Sequence, residues 1–73
     1  MANNRPDIVT IRFHRNSRNT RIIDGVCVIG SAQPCRNLLS VGLRLLPAAR
    51  CLLRNEFRLV YRAQGLWVFK RNR

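Results

Sequence analysis

The sequence predicts a small α+β domain of ββαββ order, with two β-hairpins packed on a central proline-kinked helix. Three observations carry that expectation. Val9, Ile11 and Phe13 alternate with Thr10, Arg12 and His14, the period of a half-buried strand. Gln33–Asn55 (QPCRNLLSVGLRLLPAARCLLRN) is the one long apolar segment, and its apolar residues recur at helical spacing. Beyond it, Phe-Arg-Leu-Val-Tyr and Leu-Trp-Val-Phe are aromatic and branched runs separated by a loop containing Gly65.

A chain of 73 residues has room for one domain. A domain of that size buries only about 60% of its unfolded surface, so its core is small. At 47% hydrophobic residues the chain is nonetheless too apolar for compositional disorder. Met1–Pro6 is polar and closed by a proline, so residues 1–7 are expected to form a flexible basic arm ahead of one domain, 8–73.

In the first strand, Val9, Ile11 and Phe13 should face the core, with Arg12 and His14 outward. Asn16–Thr20 is rich in turn formers and leads to the β-branched run Arg21–Ile29. Together they make a hairpin whose tip carries Arg15, Arg18 and Arg21. Asp24-Gly25 interrupts the second strand and marks a bulge or an alternative turn, leaving its facing ambiguous.

Ser31 is a candidate N-cap for the central helix, with Pro34 tolerated in its first turn. Leu38, Val41 with Gly42, Leu45, Ala49, and Leu52 with Leu53 fall on one broad apolar stripe, with Arg36, Ser40 and Arg44 opposite. Pro47 removes a hydrogen bond, so the helix should kink or restart near Leu46. Residues 56–73 admit two readings. As a helix they would extend an i, i+4 stripe of Arg50, Arg54, Arg58 and Arg62. The hairpin is preferred because both halves are strand-like in composition.

Charge dominates the functional reading. Fourteen cations, all but Lys70 arginine, face three acids for a net charge of +11. Most of that charge must face solvent or a polyanion, with nucleic acid the commonest partner and an anionic membrane the next. The expectation is a non-enzymatic nucleic-acid-binding protein, with RNA slightly favoured over DNA. Arg12, His14, Arg15, Arg18, Arg21, Arg58, Arg62, Lys70 and Arg71 would contact the phosphate backbone. If the strands carrying Arg12, His14, Arg58 and Arg62 neighbour each other in one sheet, those residues form a positive platform opposite the helix. Such a protein would work as a small regulator or as a ribonucleoprotein subunit, as a homodimer or within a larger particle. A phage, viral or organellar origin would suit it equally. The competing class is a basic amphipathic peptide or toxin acting on anionic bilayers.

Enzymatic machinery is sparse. Asp7, Asp24 and Glu56 are scattered, and no glycine-rich phosphate loop is present. No cofactor is implied. Cys27, Cys35 and Cys51 have no zinc-ligand spacing, and His14 is the sole histidine, so no metal site is expected. The cysteines are read as reduced core residues, which points to the cytoplasm or another reducing compartment. Phe13, Tyr61, Trp67 and Phe69 could stack bases if exposed, but Phe13 and Tyr61 are expected to point inward. Trp67 and Phe69 share one side of the last strand, and core packing is preferred for them over exposure as a stacking or dimer surface.

Overall fold

The computed structural model describes residues 5–72. It is an α+β domain with four antiparallel strands in one sheet and one α-helix. The strands are β1 (Asp7–Arg15), β2 (Arg21–Ile29), β3 (Arg58–Ala63) and β4 (Leu66–Arg71). Helix α1 (Leu45–Arg54) lies between β2 and β3 in the chain. Strand order is β2-β1-β4-β3, so the two hairpins merge through pairing of β1 with β4.

Alternation in β1 sorts its residues as expected. Val9 and Ile11 are fully buried, Phe13 is half-buried, and Arg12 and His14 are exposed. Paired residues on neighbouring strands share a face, so the register carries this sorting across the sheet. Val9 sits opposite Val28 and Phe69, and Ile11 opposite Val26 and Trp67. Asp24 is the extra residue of a bulge, since Arg12 pairs with Gly25 and Phe13 with Ile23. That bulge decides the ambiguous facing of β2: Ile23, Val26 and Val28 join the core, while Cys27 and Ile29 lie on the open face.

The long central helix is replaced by a shorter one. Residues 33–44 turn through a single 3-10 segment, Arg36–Leu38, and Gly42 adopts a φ of 92° that a helix excludes. Arg36, Ser40 and Arg44 therefore share no helical face, and Val41 is exposed. Ser31 caps a turn, its Oγ accepting the Gln33 amide at 3.1 Å, rather than starting the helix. Arg44 is the N-cap of α1, which places Pro47 in the first turn. Amides there have no intrahelical partner, so proline removes nothing and no kink results. Leu45, Ala48, Ala49 and Leu52, at i, i+3, i+4 and i+7, are buried on one face of the sheet with Ile23, Leu39, Phe57 and Phe69.

The boundary of the basic arm also moves. Asp7 belongs to β1 and is 3% exposed, so it is part of the domain. Residues 1–4 of the expected arm lie outside the described residues. Asp7 Oδ2 accepts Arg71 Nε at 2.9 Å and lies 2.8 Å from Nη2, and Asp7 Oδ1 accepts the Ser31 amide at 2.9 Å. Arg71 also donates to the carbonyls of Gln33, Asn55 and Ser31, and its guanidinium lies 4.3 Å from the Phe57 ring centroid. One buried arginine thus ties β1, the 31–33 turn, the end of α1 and β4 together. Gly30 completes this end: at φ 83°, a methyl group there would collide with the Asp7 carboxylate.

Cysteine chemistry differs from expectation. Cys35 and Cys51 form a disulfide across 16 residues, fastening the 33–39 turn to α1, and Cys27 is exposed rather than buried. A protein disulfide does not fit a reducing compartment well, which counts against the expected cytoplasmic setting. No helix among the described residues is long and apolar enough to cross a membrane.

Candidate nucleic-acid interface

The opposite end of the sheet is built from the tip of the β1–β2 hairpin and the turn of the β3–β4 hairpin. Asn16 shapes the first: its Oδ1 accepts the amides of Arg18 at 2.9 Å and Thr20 at 3.0 Å, folding the loop back on itself. Gly65 shapes the second, with φ 82°, and its carbonyl accepts the Phe13 amide at 3.0 Å. This bond pulls the β3–β4 turn against β1. A Cβ at Gly65 would lie 3.2 Å from the Phe13 carbonyl oxygen, so the turn needs glycine for conformation and space together.

Between them opens a cleft of about 830 Å³ lined by Phe13, His14, Arg15, Arg21, Arg62 and Trp67, with residues 63–65 as its wall. Its floor is aromatic. Half-buried Trp67 meets Phe13 edge-on at 5.4 Å between ring centroids and Phe69 at 6.3 Å. The Arg21 guanidinium lies over the indole, 5.4 Å from its centroid. Its rim is cationic. Among the described residues, Arg15, Arg21 and Arg62 have no carboxylate within ion-pairing distance, and no acid lines the cleft. His14 is the partial exception, its Nδ1 meeting Asp24 Oδ1 on the solvent side.

A second hollow of about 380 Å³ adjoins the first and shares Arg21 with it. Arg44, Arg50, Leu46, Pro47 and residues 19–20 complete its lining. Arg44 is held there because Ile22 bridges it in antiparallel fashion and the Ile23 amide donates to the Leu43 carbonyl at 2.8 Å. Arg50 follows from the pitch of α1, on the side away from the buried Ala48 and Ala49. Arginines line both hollows, and Arg21 belongs to the two of them; together we term them the arginine track.

The structure thus brings His14, Arg15, Arg21 and Arg62 together and separates the other expected contacts. Arg18 stands exposed on the hairpin loop. Arg12, Arg58 and Lys70 are on the open face of the sheet, where Arg12 lies over Gly25 and Arg58 pairs with Lys70. Arg71 is buried in the ion pair with Asp7, its donors engaged within the fold.

The expected platform is corrected in two respects. β4 lies between β1 and β3, so the strands carrying Arg12 and Arg58 are not neighbours. Val60 is an extra residue in β3, which puts Arg58 and Arg62 on opposite faces and turns Tyr61 outward, 56% exposed. The open face also carries exposed apolar residues on its two edge strands, Cys27 and Ile29 on β2 and Tyr61 on β3.

Sequence reasoning missed Arg44 and Arg50 as members of a site, because both were assigned to the outer faces of helices. Pro47 is the signal that could have found them: a proline confined to a first turn fixes the helix start at Arg44. Among the described residues, no group of three or more His, Cys, Asp or Glu is placed to hold a metal ion. No family model, curated protein or solved structure matches the chain.

Proposed function

We propose that this chain is a non-enzymatic nucleic-acid-binding protein that holds the phosphate backbone along the arginine track. The observation carrying the reading is the convergence of Arg15, Arg21 and Arg62, without acids, on a cleft with an aromatic floor. Guanidinium groups grip phosphate oxygens bidentately, and groups already held without carboxylate partners give up no ion pair on binding. Arg44 and Arg50 extend the grip past one phosphate. The architecture we take for it is the ββαββ unit, with the hairpin ends forming the site and α1 closing the track.

Such a module acts by neutralising phosphates, as a small regulator or within a ribonucleoprotein. RNA is favoured by the stacking surface in the cleft. The membrane alternative is less favoured because Leu45, Ala48, Ala49 and Leu52 of α1 are buried against the sheet and are not available to a bilayer. Binding of short single-stranded RNA, duplex DNA and anionic vesicles, titrated against salt, tests the proposal. Nucleic acid should bind with a steep negative salt dependence, and Arg15→Gln combined with Arg62→Gln should flatten it. A preference for vesicles, or an unchanged slope in the double variant, contradicts it.

A further inference from the structure

We infer that the cleft takes one unpaired base, seated against Trp67, so that the protein selects single-stranded over duplex nucleic acid. This deepens the proposed nucleic-acid reading and rests on it. Phosphate binding alone requires cations, and Arg15, Arg21 and Arg62 supply them. An aromatic floor beneath those cations adds nothing to phosphate binding. A planar base accounts for it, because every base has a π-face that stacks on an indole or a guanidinium. The volume also fits: about 830 Å³ is ample for a nucleotide.

Three contacts of Trp67 define the mode. Phe13 and Phe69 meet Trp67 edge-on and hold its indole from the core side. Arg21 covers the ring from the cleft side at 5.4 Å and so occupies the place of a stacked base. Arg21 also lines the second hollow with Arg44 and Arg50. A base entering the first cleft therefore sandwiches beneath Arg21 or displaces it toward the second hollow, where the next phosphate lies. Base and phosphate are recognised through one shared residue. A base-paired strand keeps its bases stacked inside the helix and offers the floor nothing.

Trp67 is the only tryptophan in the chain, so fluorescence excited selectively at the indole reports on this floor alone. The test uses the full chain and oligonucleotides of about eight nucleotides, within the usual span of single-strand sites. The arms are RNA, DNA, the same strand with abasic sugars at equal phosphate number, and a duplex. RNA, DNA or both should quench Trp67, whereas the abasic strand and the duplex leave it unchanged. The abasic strand should also bind about 5- to 150-fold more weakly, the range that base stacking supplies. In Trp67→Leu this ratio should fall to near one while the salt slope persists. Because Trp67 also packs on Phe13 and Phe69, Trp67→Phe provides a second variant, in which the ratio is reduced but not abolished.

Equal affinity for normal and abasic strands overturns the stacking inference and leaves the nucleic-acid reading standing. Quenching by the duplex equal to that by the single strand overturns it likewise. Binding of no oligonucleotide overturns both.

Discussion

The two ends of the sheet use arginine in opposite ways. At one end Arg71, 9% exposed, faces Asp7, three backbone carbonyls and the Phe57 ring. Its charge is balanced and its donors are directed inward, so it works as a fastener. At the other end Arg15, Arg21 and Arg62 surround an open cleft with no acid among its lining residues. Burial with a partner makes an arginine part of the fold, whereas exposure without one leaves its charge for a ligand. Acids are too scarce to balance both ends. Among the described residues, Asp7 secures the first, Asp24 engages His14, and exposed Glu56 lies beyond the cleft lining.

The sharpest break in this comparison is to remove the fastener. Arg71→Ala leaves the Asp7 carboxylate buried without its cation and should cost about 3–5 kcal/mol, most of the stability of a domain this small. Urea unfolding followed by circular dichroism measures it, and Arg62→Ala, at an exposed position, should in parallel change stability by less than about 0.5 kcal/mol. Equal losses in the two variants would erase the distinction between the ends.

The disulfide supports the fastened end, because Cys35 lies two residues beyond the Gln33 carbonyl that Arg71 holds and Cys51 four before that of Asn55. Cys35→Ser with Cys51→Ser should lower stability by about 3 kcal/mol, as expected for a closed loop of this length, with binding at the cleft retained in the folded fraction. Melting with and without reductant checks the same point on the unaltered chain.

Gly65→Ala sharpens the comparison from the other side. A left-handed φ and the nearby Phe13 carbonyl should together cost about 1–2 kcal/mol. The shift of the cleft wall should weaken nucleic-acid binding as well, a double effect that neither Arg71 nor Arg62 variants give. Smallest in stability, and largest in selectivity, is the pair Arg62→Gln and Arg58→Gln. Arg62 lines the cleft and Arg58 lies on the open face, so only the first should lower the single-strand salt slope, by about 0.7 for each phosphate no longer neutralised.

Much of the framework was legible in the sequence because strand alternation is local. Val9, Ile11 and Phe13 declared their face and Gly65 its turn, while Asp24-Gly25 marked an interruption that the register resolves as a bulge. What was not legible depends on pairing between distant segments. The bulge at Val60 has no glycine to announce it, yet it reverses Tyr61 and Arg62 relative to simple alternation. Leu38 and Val41 have helical spacing with Leu45, but Gly42 and the bridge of Ile22 to Arg44 draw that stretch out along β2. Arg71 looked like any terminal cation until β4 set it opposite Asp7, 64 residues away. The cleft itself follows from the pairing of β1 with β4, which the Phe13 to Gly65 hydrogen bond extends by one step, and no pattern within either hairpin contains it.

Titration of the isotopically labelled chain with a short single-stranded RNA, followed by amide chemical shifts residue by residue, separates the two ends in one experiment. Shifts should concentrate at residues 13–21, at 62–67 and around Arg44 and Arg50, with the Asp7–Arg71 end and the open face unmoved. Shifts centred instead on Cys27, Ile29, Tyr61 and Val68 would place the ligand on the open face and contradict binding at the cleft.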